Sequence, residues 1–117
     1  MHELQIAQNI VKITEDEVRQ SGLTQSISAI NLKIGKMHAV IQDSLRFSFD
    51  VLKRDRAQLK QAELIISEMP VKIHCRACDK TQLITDPIFV CSGCSSTAIE
   101  IISGNELFID SIEFMDQ

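Results

Sequence analysis

Four cysteines are the residues whose type and spacing most plainly indicate chemistry. They form two Cys-x-x-Cys pairs with twelve residues between them, Cys75 and Cys78 followed by Cys91 and Cys94. Each pair can turn back so that both thiolates face one ion, and four thiolates form a closed tetrahedral site typical of structural zinc. Such a site has no open position for water, so the ion would stabilise the fold and take no part in catalysis.

Three other interpretations of the cysteines compete with zinc. A disulfide framework needs an oxidising compartment, and nothing in the sequence indicates one. A redox Cys-x-x-Cys pair needs a thioredoxin-like βαβ unit, and the order of the expected elements does not provide it. A rubredoxin-like iron site uses the same four ligands, so the spacing alone leaves iron open beside zinc.

The three histidines are the other candidate metal ligands. The Met1 amine, a backbone amide and the His2 ring can bind Ni(II) or Cu(II) in one plane, although a histidine at this position also suits an ordinary chain end. His74 precedes the first cysteine, where it either tunes or joins the metal site or is a surface ring on a strand end. His38 follows Gly35 and is interpreted as an ordinary loop residue.

Charge and composition exclude several classes of function. The 117 residues have a net charge of −4, and residues 71–117 hold three basic against seven acidic side chains. The single basic cluster lies in residues 53–60, and the aromatic residues are five Phe with no Trp or Tyr, so we expect no nucleic-acid partner. No apolar run approaches the ~20 residues of a membrane helix and no signal peptide is recognisable, so we expect a soluble, cytoplasmic protein.

No arrangement typical of an enzyme is recognisable either. The sequence lacks a Ser/His/Asp order, a phosphate loop and an open three-ligand metal motif. We therefore expect a protein without catalytic activity.

Hydrophobic periodicity predicts the elements that position these residues. Residues 4–20 predict an amphipathic helix ending at Gly22, and residues 30–34 predict a half-buried strand ending at Gly35. A second helix, capped by Asp43 or Ser44, and a strand before Pro70 follow. The apolar positions assigned to the two helices are Leu4, Ile6, Ala7, Ile10, Val11, Ile13, Val18, Leu45, Phe49 and Leu52.

The remaining elements lie between and after the cysteines. Asp86-Pro87 predicts a turn that joins residues 83–84 and 88–90 into a hairpin, and residues 107–114 predict the last strand. The expected fold class is α+β, with two helices packed on a three-stranded sheet and an inserted zinc-ribbon module. We assign residues 1–70 with 103–117 to the α+β domain and residues 71–102 to the zinc-binding domain.

Several short motifs, in this order and spacing, carry a resemblance to a known family. They are Met1-His2-Glu3-Leu4, Leu32-Lys33-Ile34-Gly35, Ser44-Leu45-Arg46-Phe47, Ala62-Glu63-Leu64, the two Cys-x-x-Cys pairs, Gly104-Asn105-Glu106-Leu107 and Ser111-Ile112-Glu113. Over essentially its whole length the sequence resembles the HypA/HybF hydrogenase nickel-incorporation proteins. The resemblance implies a metallochaperone with a nickel-binding domain and a zinc-ribbon domain.

The resemblance also implies specific sites and partners. Nickel would be held by His2, with Met1 and Glu3 as adjacent candidates, and structural zinc by Cys75, Cys78, Cys91 and Cys94. The protein would work with the GTPase HypB and deliver Ni(II) to the large-subunit precursor of [NiFe]-hydrogenase, and a homodimer is left open. The alternative is a zinc-ribbon adaptor that binds proteins and not nickel, with His2 incidental.

Overall fold

The computed structural model describes residues 3–86 and 88–116, which form two α-helices and two three-stranded sheets. The elements are α1 (Glu3–Ser21), β1 (Ile27–Gly35), a 3-10 helix (Lys36–His38), α2 (Gln42–Lys53), β2 (Glu63–Met69), β3 (Val71–Cys75), β4 (Thr81–Ile84), β5 (Ile99–Ser103) and β6 (Leu107–Phe114). The predicted α+β class is confirmed. In the described part of the chain, no helix is long and apolar enough to cross a membrane.

The first sheet has the order β2-β1-β6 and carries both helices on one face. β1 lies in the centre, where Ile30 is opposite Leu64 of parallel β2 and opposite Ile112 of antiparallel β6. Two parallel neighbours need a long crossover, and α2 supplies it between β1 and β2. Both helices begin at the same end of the sheet, since Glu3 contacts Ile41 before α2 and Glu15 contacts the chain after it.

The hydrophobic core lies between this sheet and the two helices. It contains fourteen buried residues: Ile6, Ala7, Ile10, Val11, Val18, Ile27, Ile30, Leu32, Ile34, Leu45, Phe49, Leu59, Ala62 and Leu64. Two predicted core positions of α1 are wrong, because Leu4 and Ile13 are about half exposed while Thr14 is buried. Thr14 continues the Ala7, Val11, Val18 row at helical spacing, whereas Ile13 lies at the rim of that row.

The predicted cap of α2 is also wrong. The helix begins at Gln42 with Ile41 at the N-cap, and neither Asp43 nor Ser44 caps it, because both lie within its first turn. The N–H of Ile41 donates instead to Oε2 of Glu3, at 3.2 Å. The first residue of α1 therefore holds the start of α2.

The second sheet, β4-β3-β5, contains the cysteines and interrupts the connection from β2 to β6. The predicted hairpin between residues 83–84 and 88–90 is wrong, because residues 88–90 form no strand and β4 pairs with β3. The turn after Cys75 brings the chain straight back, and the N–H of Cys75 donates to the carbonyl of Lys80 at 2.8 Å. The turn therefore places β4 directly beside β3.

The two sheets meet where β1 ends and β6 begins. Gly104 has a φ of +105°, and its carbonyl accepts the N–H of Met37 at 2.9 Å. A Cβ on Gly35 would overlap the backbone of Gly104, so this close approach requires glycine. The loop residue His38 lies in the 3-10 helix, and its Nε2–H donates to the carbonyl of Asn105 at 3.0 Å.

Candidate metal centre

The structure brings the four cysteine sulfurs together. The Sγ atoms of Cys75 and Cys94 are 3.6 Å apart, as are those of Cys78 and Cys91, and all four lie within 4.8 Å of one another. Four sulfurs bound tetrahedrally to one ion at about 2.3 Å would be separated by about 3.8 Å. The four thiols therefore fit the coordination shell of a single zinc-sized ion.

Two similar turns place the sulfurs. After the first pair, the N–H of Asp79 donates to the carbonyl of Cys75 at 2.9 Å, and after the second the N–H of Ser95 donates to that of Cys91 at 2.8 Å. Asp79 and Ser95 have φ values of 64° and 61°. A left-handed residue directly after each pair turns the chain so that both sulfurs of the pair face the same point.

Backbone N–H groups favour the thiolate form at Cys91, whereas the pKa of Cys78 is shifted in the opposite direction. The N–H groups of Cys94 and Gly93 lower the pKa of the Cys91 thiol to about 6. At Cys78 the N–H of Lys80 lowers the pKa, but the hydrogen bond with Cys91 and burial outweigh it and raise the pKa to about 12. Four neighbouring thiols thus cannot all ionise without a cation, which a metal ion supplies.

The arrangement of the four cysteines argues against the disulfide and the thioredoxin-like interpretations. All four cysteines are free, and within the described residues neither pair begins a helix as a thioredoxin-like pair would. Iron fits the same tetrahedron as zinc, so metal content decides between these two ions.

His74 lies next to the cysteines but does not belong to their cluster. Its Nδ1 lies 3.0 Å from Oγ1 of Thr81, and its Nε2 lies 3.0 Å from Oδ1 of Asp79. Both ring nitrogens therefore have partners outside the four-sulfur group, and that group does not include the ring. His74 therefore lies outside the ligand set, and its role in tuning the metal site stays a prediction.

Of the three predicted nickel residues, the structure describes Glu3. Met1 and His2 lie outside the described residues, so their role stays a prediction. Glu3 is the first residue of α1, and its carboxylate holds the N–H of Ile41. Glu3 therefore lies at the end of the first sheet where β1 ends. The cysteine module, residues 71–102, joins the first sheet at this same end.

One further side chain beside the cysteines was not indicated by any sequence pattern. Lys80, the residue before β4, extends its side chain to the second Cys-x-x-Cys pair, where its Nζ lies 3.2 Å from Oγ of Ser92. A lysine two residues after a cysteine is unremarkable in a sequence, and this contact depends on the β3–β4 pairing that periodicity did not predict.

The fold and the four-cysteine cluster define a small α+β protein with an inserted module that could hold a metal ion. A family model described as "Hydrogenase/urease nickel incorporation, metallochaperone, hypA" matches residues 1–114, and the chain belongs to this family. The family resemblance seen in the sequence is thereby confirmed.

Individual relatives agree with this assignment. The chain is 40% identical over 116 residues to hydrogenase maturation factor HypA of Desulfatibacillum aliphaticivorans, covering 99% of this chain and 88% of the relative. It is 38% identical to the factor of the same name from Desulfosudis oleivorans, covering 99% and 100%. The solution structure of the Ni metallochaperone HypA from Helicobacter pylori matches with a TM-score of 0.69 at 22% identity, covering 100% of both chains, and shows the shared fold.

Proposed function

We propose that this protein is a nickel metallochaperone that binds Ni(II) at His2 and delivers it to the large-subunit precursor of [NiFe]-hydrogenase. Met1 and Glu3 are adjacent candidates for the remaining ligands. The observation that carries the proposal is the match of residues 1–114 to the nickel-incorporation family. Nitrogen ligands such as an imidazole and an amine suit Ni(II), whereas a set of four thiolates suits zinc.

A site at the start of α1 suits a carrier. Delivery needs a complex that is strong enough to collect nickel and weak enough to release it, and a site with few fixed ligands meets both needs. Glu3 already accepts the N–H of Ile41, so recruiting this carboxylate to nickel would exchange one interaction for another. A receiving protein can then replace the ligands one at a time.

The cysteines are proposed to hold structural zinc in residues 71–102, and residues 1–70 with 103–117 to form the nickel-binding domain. The separate sheets support this division, since β1, β2 and β6 form one and β3, β4 and β5 the other. The proposal places the protein in the cytoplasm, where reducing conditions keep cysteines available for a metal.

The GTPase HypB is the proposed partner in nickel loading, and the basic end of α2 is the surface we propose for that contact. Arg54 is exposed at the C-cap of α2, whereas Arg56 is paired with Glu15. Reversal of Arg54 alone therefore probes the contact without breaking an ion pair that the structure shows. The Arg54→Glu variant is expected to bind HypB more weakly, and unchanged affinity would reject this surface.

The nickel site is tested by calorimetry on the zinc-loaded protein. His2→Ala, and separately a few residues added before Met1, are expected to abolish tight nickel binding, because the first removes the imidazole and the second the α-amine. His38→Ala is the matched control and is expected to bind nickel as the wild type does. Wild-type affinity in the His2→Ala variant would exclude this site, and no nickel binding by the wild type would favour the adaptor.

The same titration should depend on pH. A metal binds the deprotonated amine and imidazole, so nickel affinity is expected to fall as the pH drops below about 8, where the α-amine takes up a proton, and more steeply below about 6.5, where the imidazole does. Affinity that does not change between pH 7.5 and 5.5 would contradict nitrogen ligation.

A further inference from the structure

Lys80 links the two Cys-x-x-Cys turns of the metal centre. Its carbonyl accepts the N–H of Cys75, which fixes its backbone to the first turn. Its side chain crosses to the second turn, where the ammonium donates to Oγ of Ser92 at 3.2 Å. Ser92 in turn donates to Oε1 of Gln82 at 2.7 Å. Three side chains from β4, the first turn and the second turn are thus joined in one chain of hydrogen bonds.

The Lys80 side chain also packs directly on the glycine of the second turn. A Cβ placed on Gly93 would lie 3.3 Å from Cδ and 3.7 Å from Nζ of Lys80, and 3.6 Å from Sγ of Cys91. These distances put the ammonium no more than about 7 Å from that sulfur. The Debye length is about 8 Å at physiological ionic strength, so the charge of Lys80 acts on the sulfur despite screening.

The charge balance of the module gives the ammonium of Lys80 its significance. Four thiolates around one divalent ion leave two negative charges at the centre. Among the described residues of the module the cationic side chains are Lys72, Arg76 and Lys80, and Arg76 is paired with Glu100. Lys72 is exposed on β3, so Lys80 is the cation that lies over the second turn.

We propose that Lys80 is a positioning residue of the metal centre, whose ammonium holds the second Cys-x-x-Cys turn against the ion and slows loss of the metal. The inference rests on the proposed zinc site. It assigns the stability of bound zinc partly to a charged side chain that is not a ligand. Residues 91–95 of the second turn belong to no strand. Loss of the contact between Lys80 and this turn would therefore let Cys91 and Cys94 leave the ion more readily.

The test is the rate at which the zinc-loaded full chain passes zinc to a chromogenic chelator. Lys80→Gln keeps most of the side-chain length and removes the charge, and it is expected to release zinc about three- to fivefold faster. Lys72→Gln makes the same change in net charge in the same sheet and is expected to release zinc at the wild-type rate. Lys80→Arg, which keeps the charge, is expected to stay close to wild type.

Ionic strength separates an electrostatic role from simple packing. Salt screens the ammonium, so the wild-type rate is expected to rise toward that of Lys80→Gln as salt increases, while the rate of the variant changes little. Ser92→Ala removes the hydrogen-bond partner and is expected to give an intermediate rate.

Two results would overturn the proposal. Equal zinc release by wild type and Lys80→Gln would remove any role for Lys80, and a faster rate whose excess does not change with salt would reduce that role to packing. A wild-type protein that contains iron, or that takes up no zinc, would contradict the proposed zinc site itself and is detected beforehand by metal analysis.

Discussion

The two sheets of this protein differ in how many apolar side chains they bury. The sheet that carries α1 and α2 buries a core of fourteen apolar residues. In the cysteine module, the buried side chains among the described residues are Val71, Ile73, Cys75 and Cys91. Two buried apolar side chains are few for residues 71–102, so the order of this module would depend on the metal ion that we propose the four thiolates bind. On the proposed function, this small chain would use one metal as a structural element while it carries another.

The largest expected effect comes from breaking the cysteine cluster. Cys78→Ser removes one of four thiolates and should release zinc, because structural zinc contributes on the order of 10 kcal/mol to the folding of such modules. We expect residues 71–102 to lose their order while α1, α2 and the first sheet keep theirs. Metal analysis combined with NMR of the backbone amides measures both outcomes.

Two results would contradict this picture. A Cys78→Ser protein with one zinc per chain would show that the ion is held elsewhere. Loss of order in both sheets together would show that the first sheet depends on the metal, against the separate core described above.

The reciprocal change affects the apolar core. Phe49 is 1% exposed in the centre of α2, so Phe49→Ala should lower the free energy of unfolding of the first domain by about 3–5 kcal/mol. The zinc content of the folded protein should not change, because the cysteines lie in the other sheet. Chemical denaturation gives the loss of stability, and Phe47→Ala, at an exposed position of the same helix, is the matched control.

Much of the first sheet could be predicted from the sequence because local patterns determine it. The row of apolar residues in α1 and the alternation in β1 are strong signals, and Gly22 and Gly35 lie where those elements end. The errors arose where tertiary contacts decide. Ile41 is the N-cap of α2 and its N–H is held by Glu3 of another helix, which no pattern near Ile41 indicates.

The cysteine module likewise has one feature that a local pattern predicts and others that depend on tertiary contacts. The spacing of Cys75, Cys78, Cys91 and Cys94 was sufficient to predict that the sulfurs converge, as the structure confirms. The pairing of β3 with β4 was not predicted, because these strands are short and the apolar residues 88–90 offered an equally good partner. The contact of Lys80 with the second turn depends on that pairing and was missed with it.

A smaller effect is expected where the two sheets join. Gly104 has a φ of +105°, and a Cβ there would lie 2.6 Å from Cα of Val71, the first residue of β3. Gly104→Ala should therefore cost about 1–3 kcal/mol through backbone strain and force the junction to shift. Gly22→Ala is the control, since Gly22 also has positive φ but a Cβ there meets no atom within 4 Å. Equal losses of stability in the two variants would show that the contact with Val71 has no effect of its own.

Nickel and zinc are proposed to occupy different sites with different donor atoms. X-ray absorption at the nickel edge, on untagged protein loaded with one zinc and one nickel, tests it most directly. We predict a nickel spectrum with nitrogen and oxygen neighbours and no sulfur, which is lost in His2→Ala while the zinc spectrum keeps its four sulfurs. A sulfur shell around nickel, or an unchanged nickel spectrum in His2→Ala, would contradict the account.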